Sequence, residues 1–124
     1  MEIQQESPDT RYTIRGYGPG EIRINERTFT SSVILTQNRL DSGWNPPPIS
    51  EWTPETLDPL LAHDPEILLL GTGGKLHLLG APFLAHALRQ GVGLEVMDTP
   101  AACRTFNILV SEGRRVAAGL IVER

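Results

Sequence analysis

The sequence predicts a mixed three-layer α/β domain, and three patterns carry that prediction. In the first third, Tyr12, Ile14, Ile22 and Ile24 alternate with polar residues at period two, as half-buried antiparallel strands do. In the second half, short apolar runs alternate with helical stretches in the order β-α-β-α-β. That order favours parallel pairing with right-handed crossovers. Proline and glycine punctuate the helices: Thr53-Pro54, Pro82 and Thr99-Pro100 open them, and Gly91 and Gly113 close two of them.

Met1–Thr10 is expected to be a loose lead-in to a single domain spanning 1–124. Gly16, Gly18, Pro19 and Gly20 break the first strand-like pattern. Ile22-Arg23-Ile24 and Thr28-Phe29-Thr30 then flank Asn25-Glu26-Arg27, a tight hairpin turn. Ser32–Thr36 is a further strand, apolar on both faces, and completes an antiparallel β meander. Gln37–Trp52 reads as a long polar loop, with Pro46-Pro47-Pro48 between two tryptophans. It is either a rigid cover, with Trp44 and Trp52 packed over a sheet edge, or a surface for a partner.

Thr53 at the N-cap and Pro54 at the first helical position start a helix that Pro59 shortens or kinks, so it ends near Ala62. Glu66–Leu70 is a buried strand running into Gly71-Thr72-Gly73-Gly74, and Leu76–Leu79 is a short apolar stretch. Pro82 starts a second helix with Phe83, Leu84, Ala87 and Leu88 as its apolar stripe. Leu94–Met97 is the next strand. Thr99 caps the last helix, which buries Ala102, Cys103, Phe106, Leu109 and Val110. Arg115–Val122 closes the sheet.

Composition narrows the function. Of 124 residues, 40% are hydrophobic and 21% charged, with a net charge of −4, as in an ordinary globular domain. Nucleic-acid binding would need Arg23, Arg27, Arg39, Arg114 and Arg115 on one face, so no nucleic-acid partner is expected. A single cysteine excludes an intramolecular disulfide and a multi-cysteine metal site. His63, His77 and His86 lack ligand spacing, so no metal and no cofactor is expected. Met1–Arg11 has neither a secretory nor a transit pattern, and Ile67–Leu70 is far shorter than the ~18 residues that span a bilayer. A cytoplasmic protein without a membrane span is the expectation.

Two tracts are distinctive. One is Glu95-Val96-Met97-Asp98-Thr99 continuing through Ala101–Asn107 to Ser111-Glu112-Gly113-Arg114. The other is Gly71-Thr72-Gly73 after an apolar strand. Together they resemble a family of small domains of largely unknown function (the DUF498 type). Its eukaryotic members include the mitochondrial assembly factor 3 of respiratory complex I. The resemblance runs from about Tyr12 to Val122. It implies the MTH938-like fold, three layers around a mixed central β-sheet, with no enzymatic activity established.

Where a ligand could bind follows from the topology. Open α/β sheets bind ligands at the carboxyl ends of parallel strands. Gly71-Thr72-Gly73-Gly74 and Met97-Asp98-Thr99 are two such ends. A glycine-rich turn exposes backbone N–H groups, a helix N-terminus adds partial positive charge, and Arg104 adds a guanidinium. Gly71, Thr72, Gly73, Asp98, Thr99 and Arg104 therefore form a candidate site for a small anion. Alternatively the glycines only turn the chain, Thr99 only caps, and Arg104 pairs with Asp98 or Glu95. Asn107 either faces this crevice or ties its helix to a neighbouring loop such as the Gly-Thr-Gly turn. Cys103 is either a nucleophile lowered in pKa by the helix N-terminus or an inert buried thiol.

No catalytic constellation is present, so two functions compete. One is a non-catalytic interaction or assembly module with a protein partner. It predicts an exposed apolar patch around Trp44, Pro46–Pro48 or Trp52, with Trp44, Pro47 and Trp52 as the candidate contact residues. The other is a small anionic-ligand binder, or an unrecognised enzyme, using the crevice.

Overall fold

The fold is taken from a computed structural model that describes residues 3–4 and 11–123. Two sheets organise it. The larger has six strands in the order β1-β6-β5-β9-β7-β8: β1 (Ile3–Gln4), β6 (Leu40–Asp41), β5 (Val33–Thr36), β9 (Val116–Leu120), β7 (Ile67–Gly71) and β8 (Gly93–Met97). The smaller is the antiparallel meander β2 (Ile14–Gly18), β3 (Glu21–Ile24) and β4 (Arg27–Phe29). The mixed character of the larger sheet lies in β9. It runs parallel to β7 and antiparallel to β5, which sets Ala118 in register between Leu35 and Leu69.

Period-two alternation sends each central strand to two cores. Leu35, Leu69, Ala118 and Leu120 face the meander and helix α3 (Thr99–Ser111), where Ile22, Ile24 and Phe106 are fully buried. Ile34, Leu68, Leu70 and Ala117 face the other way. They meet Trp44, Trp52, helix α1 (Asp58–Leu61) and helix α2 (Ala81–Leu88). The central sheet between these two coverings makes the expected three layers, and the β-α-β-α-β order is β7-α2-β8-α3-β9.

Several sequence expectations change. The strand at Val33–Thr36 leaves the meander and pairs with β9, because its two apolar faces need cover on both sides. The hairpin turn shortens to Asn25-Glu26, with Asn25 at φ 52° and Arg27 already in β4. Gln37–Trp52 is not one loop, since it holds β6 and a 3₁₀ turn at Ile49–Glu51. Pro82 and Pro100 are second rather than first in their helices. In α2 only Phe83 and Ala87 face inward, whereas Leu84 and Leu88 are exposed. The expected lead-in over Met1–Thr10 lies outside the described residues except for Ile3–Gln4, which pair with β6. Pro59 does keep its helix to one turn, after a 3₁₀ turn at Pro54–Leu57.

The close approach of α3 to β7 depends on Gly71. A Cβ there would stand 2.9 Å from both Thr99 Cα and Thr99 Oγ1, and 3.1 Å from Ala102 Cβ. Gly71→Ala is therefore expected to cost about 1–3 kcal/mol, as overpacking does. Urea denaturation measures it, and an unchanged midpoint would show that α3 can shift away.

Candidate functional site

The two strand ends singled out in the sequence do meet. The Gly71–Gly74 turn lies against the start of α3, where Thr99 N donates to Gly73 O at 2.8 Å. Thr99 is fully buried and its hydroxyl makes two bonds. It accepts from Gly73 N at 2.7 Å and donates to Ile121 O at 2.8 Å. The N-cap is Asp98, whose Oδ1 accepts from Ala101 N at 2.8 Å, and Thr99 is the first helical residue. Asp98 suits that place because its carboxylate also meets the positive end of the helix.

The same geometry uses up the donors that an anion would need. Thr72 N donates to Met97 O at 2.9 Å and Gly74 N to Glu123 Oε1 at 2.9 Å. The Glu123 carboxylate also covers Gly73, which sits at φ +96°. Thr72, fully buried, donates through Oγ1 to Lys75 O at 2.6 Å and accepts from His77 N at 3.1 Å. The protein's own hydroxyls and one carboxylate occupy the turn.

Arg104 and Asn107 do not join it. Arg104 is exposed, pairs with neither Asp98 nor Glu95, and borders a separate small concavity with Tyr17 and Cys103. Asn107 binds β2 rather than the turn. Its Nδ2 donates to Ile14 O at 2.8 Å and its Oδ1 accepts from Ile14 N at 3.0 Å. One side-chain amide thus imitates a strand partner and fastens α3 to the meander.

A large concavity, about 940 Å³, lies next to the turn. Pro46–Ser50 forms one wall and His77–Gly80 the other, with Trp44, Trp52, Phe83 and Ile121–Glu123 between them. Trp44 and Trp52 are buried, so they act as a cover and do not form the exposed patch that the partner-binding alternative expects of them. They pack edge to face with ring centroids 6.2 Å apart, and Trp52 Nε1 donates to Pro47 O at 2.8 Å. Residue 119 of β9 is glycine, and a Cβ there would clash with Leu60 Cδ2 and lie 3.0 Å from Trp44 Cη2, so both side chains pack close on bare backbone. Pro47 stays exposed. Leu78, 80% exposed, lines the groove, and Leu76, 52% exposed, lies just before it, while Leu84, Leu88 and Ile108 are exposed elsewhere.

The profile of a family described as "Protein of unknown function (DUF498/DUF598)" matches residues 14–121. The chain belongs to this family. A zebrafish protein named NADH dehydrogenase [ubiquinone] 1 alpha subcomplex assembly factor 3 is 36% identical over 98% of the chain. The chain spans 70% of that protein and 65% of the cattle protein of the same name. A Xanthomonas campestris protein solved by NMR is 39% identical with a TM-score of 0.82, covering 98% of this chain and 92% of its own. A Bordetella pertussis protein described as an Mth938-like domain is 32% identical with a TM-score of 0.75, again covering 98% and 92%. A Francisella tularensis protein named 13 kDa major membrane protein is 28% identical over 98% of this chain and 99% of its own.

In this DUF498/DUF598 domain, Cys103 is buried and its thiol is pushed up to about 12, by burial first, with Arg104 opposing. Desolvation thus outweighs the Arg104 charge, and the thiol stays protonated at neutral pH. His86 bonds Asp58 at 2.7 Å, linking α2 to α1. Among the described residues no group of three His, Cys, Asp or Glu side chains is placed to hold a metal ion. Sequence reasoning misses Glu123 and Leu78. Glu123 follows the last apolar run as an ordinary polar residue, while the Leu76–Leu79 stretch is visible without the exposure that distinguishes it.

Two outcomes test this geometry. Thr99→Val keeps the side-chain shape but strips partners from Gly73 N–H and Ile121 C=O. Each buried group left unpaired costs about 1–3 kcal/mol, so denaturant unfolding should show a clear loss, largely restored by Thr99→Ser. Cys103 should resist alkylation in the folded protein at pH 8 and react at once in guanidinium; rapid labelling of the native state would contradict its burial.

Proposed function

We propose that this domain is a non-catalytic interaction module serving protein assembly, and that its groove receives an extended segment of a protein partner. The observation that carries this is the segment Leu76–Leu79, which leads into the wall at His77–Gly80. The segment belongs to neither sheet nor any helix, and its leucines at 76 and 78 are exposed. Among the described residues, no hydrogen bond engages the backbone N–H groups of Leu76, Leu78 and Leu79. Backbone N–H groups left free beside exposed apolar side chains suit strand addition, in which main-chain bonds give affinity and side-chain pockets give register. Pro46–Pro48 stiffen the opposite wall, and the buried tryptophans hold it in place.

Assembly is the role named for the vertebrate relatives. For this chain the proposal is the binding of a protein partner. The crevice is not favoured as an anion site, because the protein's own groups satisfy its amides. A cytoplasmic location is also proposed. Among the described residues no helix is long and apolar enough to cross a membrane.

The test is affinity capture from the native cell with the wild type and with Leu76→Asp/Leu78→Asp. Both side chains are exposed, so stability should change by no more than about 0.5 kcal/mol at each position. A partner retained by the wild type and lost by the folded double variant is expected. A partner retained equally by both would move the interface elsewhere.

A further inference from the structure

The opposite end of β9 holds a second concavity, of about 380 Å³, that the groove does not share. Three segments converge there: the β5–β6 turn at 36–39, the chain after α1 at 62–65, and the start of β9 at 114–116. They bring Arg39, Arg114 and Arg115 around the half-buried His63, with Asp64 as the carboxylate on the rim. Arg11 brings a fourth guanidinium to the side chain of Gln37, another lining residue, whose amide oxygen accepts from it when the amide is turned to face it. Four of the chain's 11 lysines and arginines therefore collect at one end of a protein whose net charge is −4.

The pairing of these groups is unequal. Arg114 is neutralised by Glu66, Nε to Oε1 at 3.2 Å, and Glu66 is held below the usual carboxylate range by the Arg115 backbone N–H and then by Arg114. Arg115 makes no ion pair among the described residues: its Nε donates to the carbonyl oxygen of Asp64 at 3.2 Å, and its charge acts on Glu66 more weakly than that of Arg114. Asp64 takes a left-handed φ of 54°. Arg39 ends a tight turn closed by Thr36, and among the described residues no carboxylate pairs with it. Two guanidinium groups are thus presented to one small concavity. His63 is held below its ordinary range by burial first and by Arg39 second, with Asp41 opposing.

We infer that this concavity binds a small phosphate monoester through Arg39 and Arg115, with His63 at the anion. Guanidinium forks match the oxygens of a phosphate and keep their charge at every physiological pH. The volume lies near the lower end of ordinary ligand sites and suits a small molecule. A bound dianion beside His63 favours its protonated form, so binding raises the His63 pKa towards neutrality.

The test is an NMR titration of the whole chain with inorganic phosphate, against sodium chloride at matched ionic strength. Expected are saturable shifts at His63 and at the Nε groups of Arg39 and Arg115, with the His63 titration midpoint moving up. Arg39→Gln and Arg115→Gln should each weaken binding about tenfold or more. Arg23→Gln, on the separate meander surface with Arg15, should leave it unchanged. Shifts that chloride reproduces, that do not saturate, or that survive both substitutions would overturn the site. If phosphate is retained, a glycerol phosphate arm and a phosphoserine peptide arm separate the sources. Equal or tighter binding of the small ester supports the inference, and binding of the peptide alone contradicts it.

Discussion

The hydroxyl of Thr99 is the constraint on which this end of the fold depends. It accepts from the turn that leaves β7 and donates to the residue just beyond β9, while its own backbone opens α3. Three elements are fixed by one buried oxygen with both hydrogen-bonding functions satisfied. Gly71 must lack a side chain for Thr99 to come this close, and Asp98 caps the helix while Thr99 is engaged elsewhere. A buried polar group has to be paired, and here the pairing also sets where the helix begins.

That constraint shapes the functional argument. In many α/β domains the carboxyl ends of parallel strands are left open for a ligand. Here Thr99 and Glu123 close them from within. What remains open is displaced sideways, into the groove between the proline wall and the exposed Leu76–Leu79 segment. The locked junction makes a rigid base for that segment, since Thr72 bonds both Lys75 and His77. Rigidity at the base with a free backbone beyond it lowers the cost of ordering when a partner strand is added.

Much of the architecture is legible in the sequence, because hydrophobic periodicity and Pro–Gly punctuation report local geometry. The strand at Glu66–Leu70, the helix stop at Gly113 and the one-turn helix before Ala62 all follow from such signals. Long-range pairing is less legible. The need of Asn107 for a partner is plain, but nothing in its neighbours says that the partner is Ile14, 93 residues away. Trp44 and Trp52 sit in a polar, proline-rich stretch that suits a cover and a partner surface equally well. Trp44 packs against Gly119 of the distant strand β9. Leu84 and Leu88 fit a helical stripe, yet α2 covers the sheet with only Phe83 and Ala87. Which face of a short helix is buried is decided by the layer beneath it.

The claim that the Leu76–Leu79 wall is where this domain meets its partner can be measured at the backbone itself. Amide hydrogen exchange of the domain, alone and with the captured partner, reports each N–H group in turn. Fast exchange at Leu76, Leu78 and Leu79 in the free protein, with strong protection in the complex, is the expected result. Protection confined to the outer face of α2 or to other surfaces, with those three amides unchanged, would contradict it.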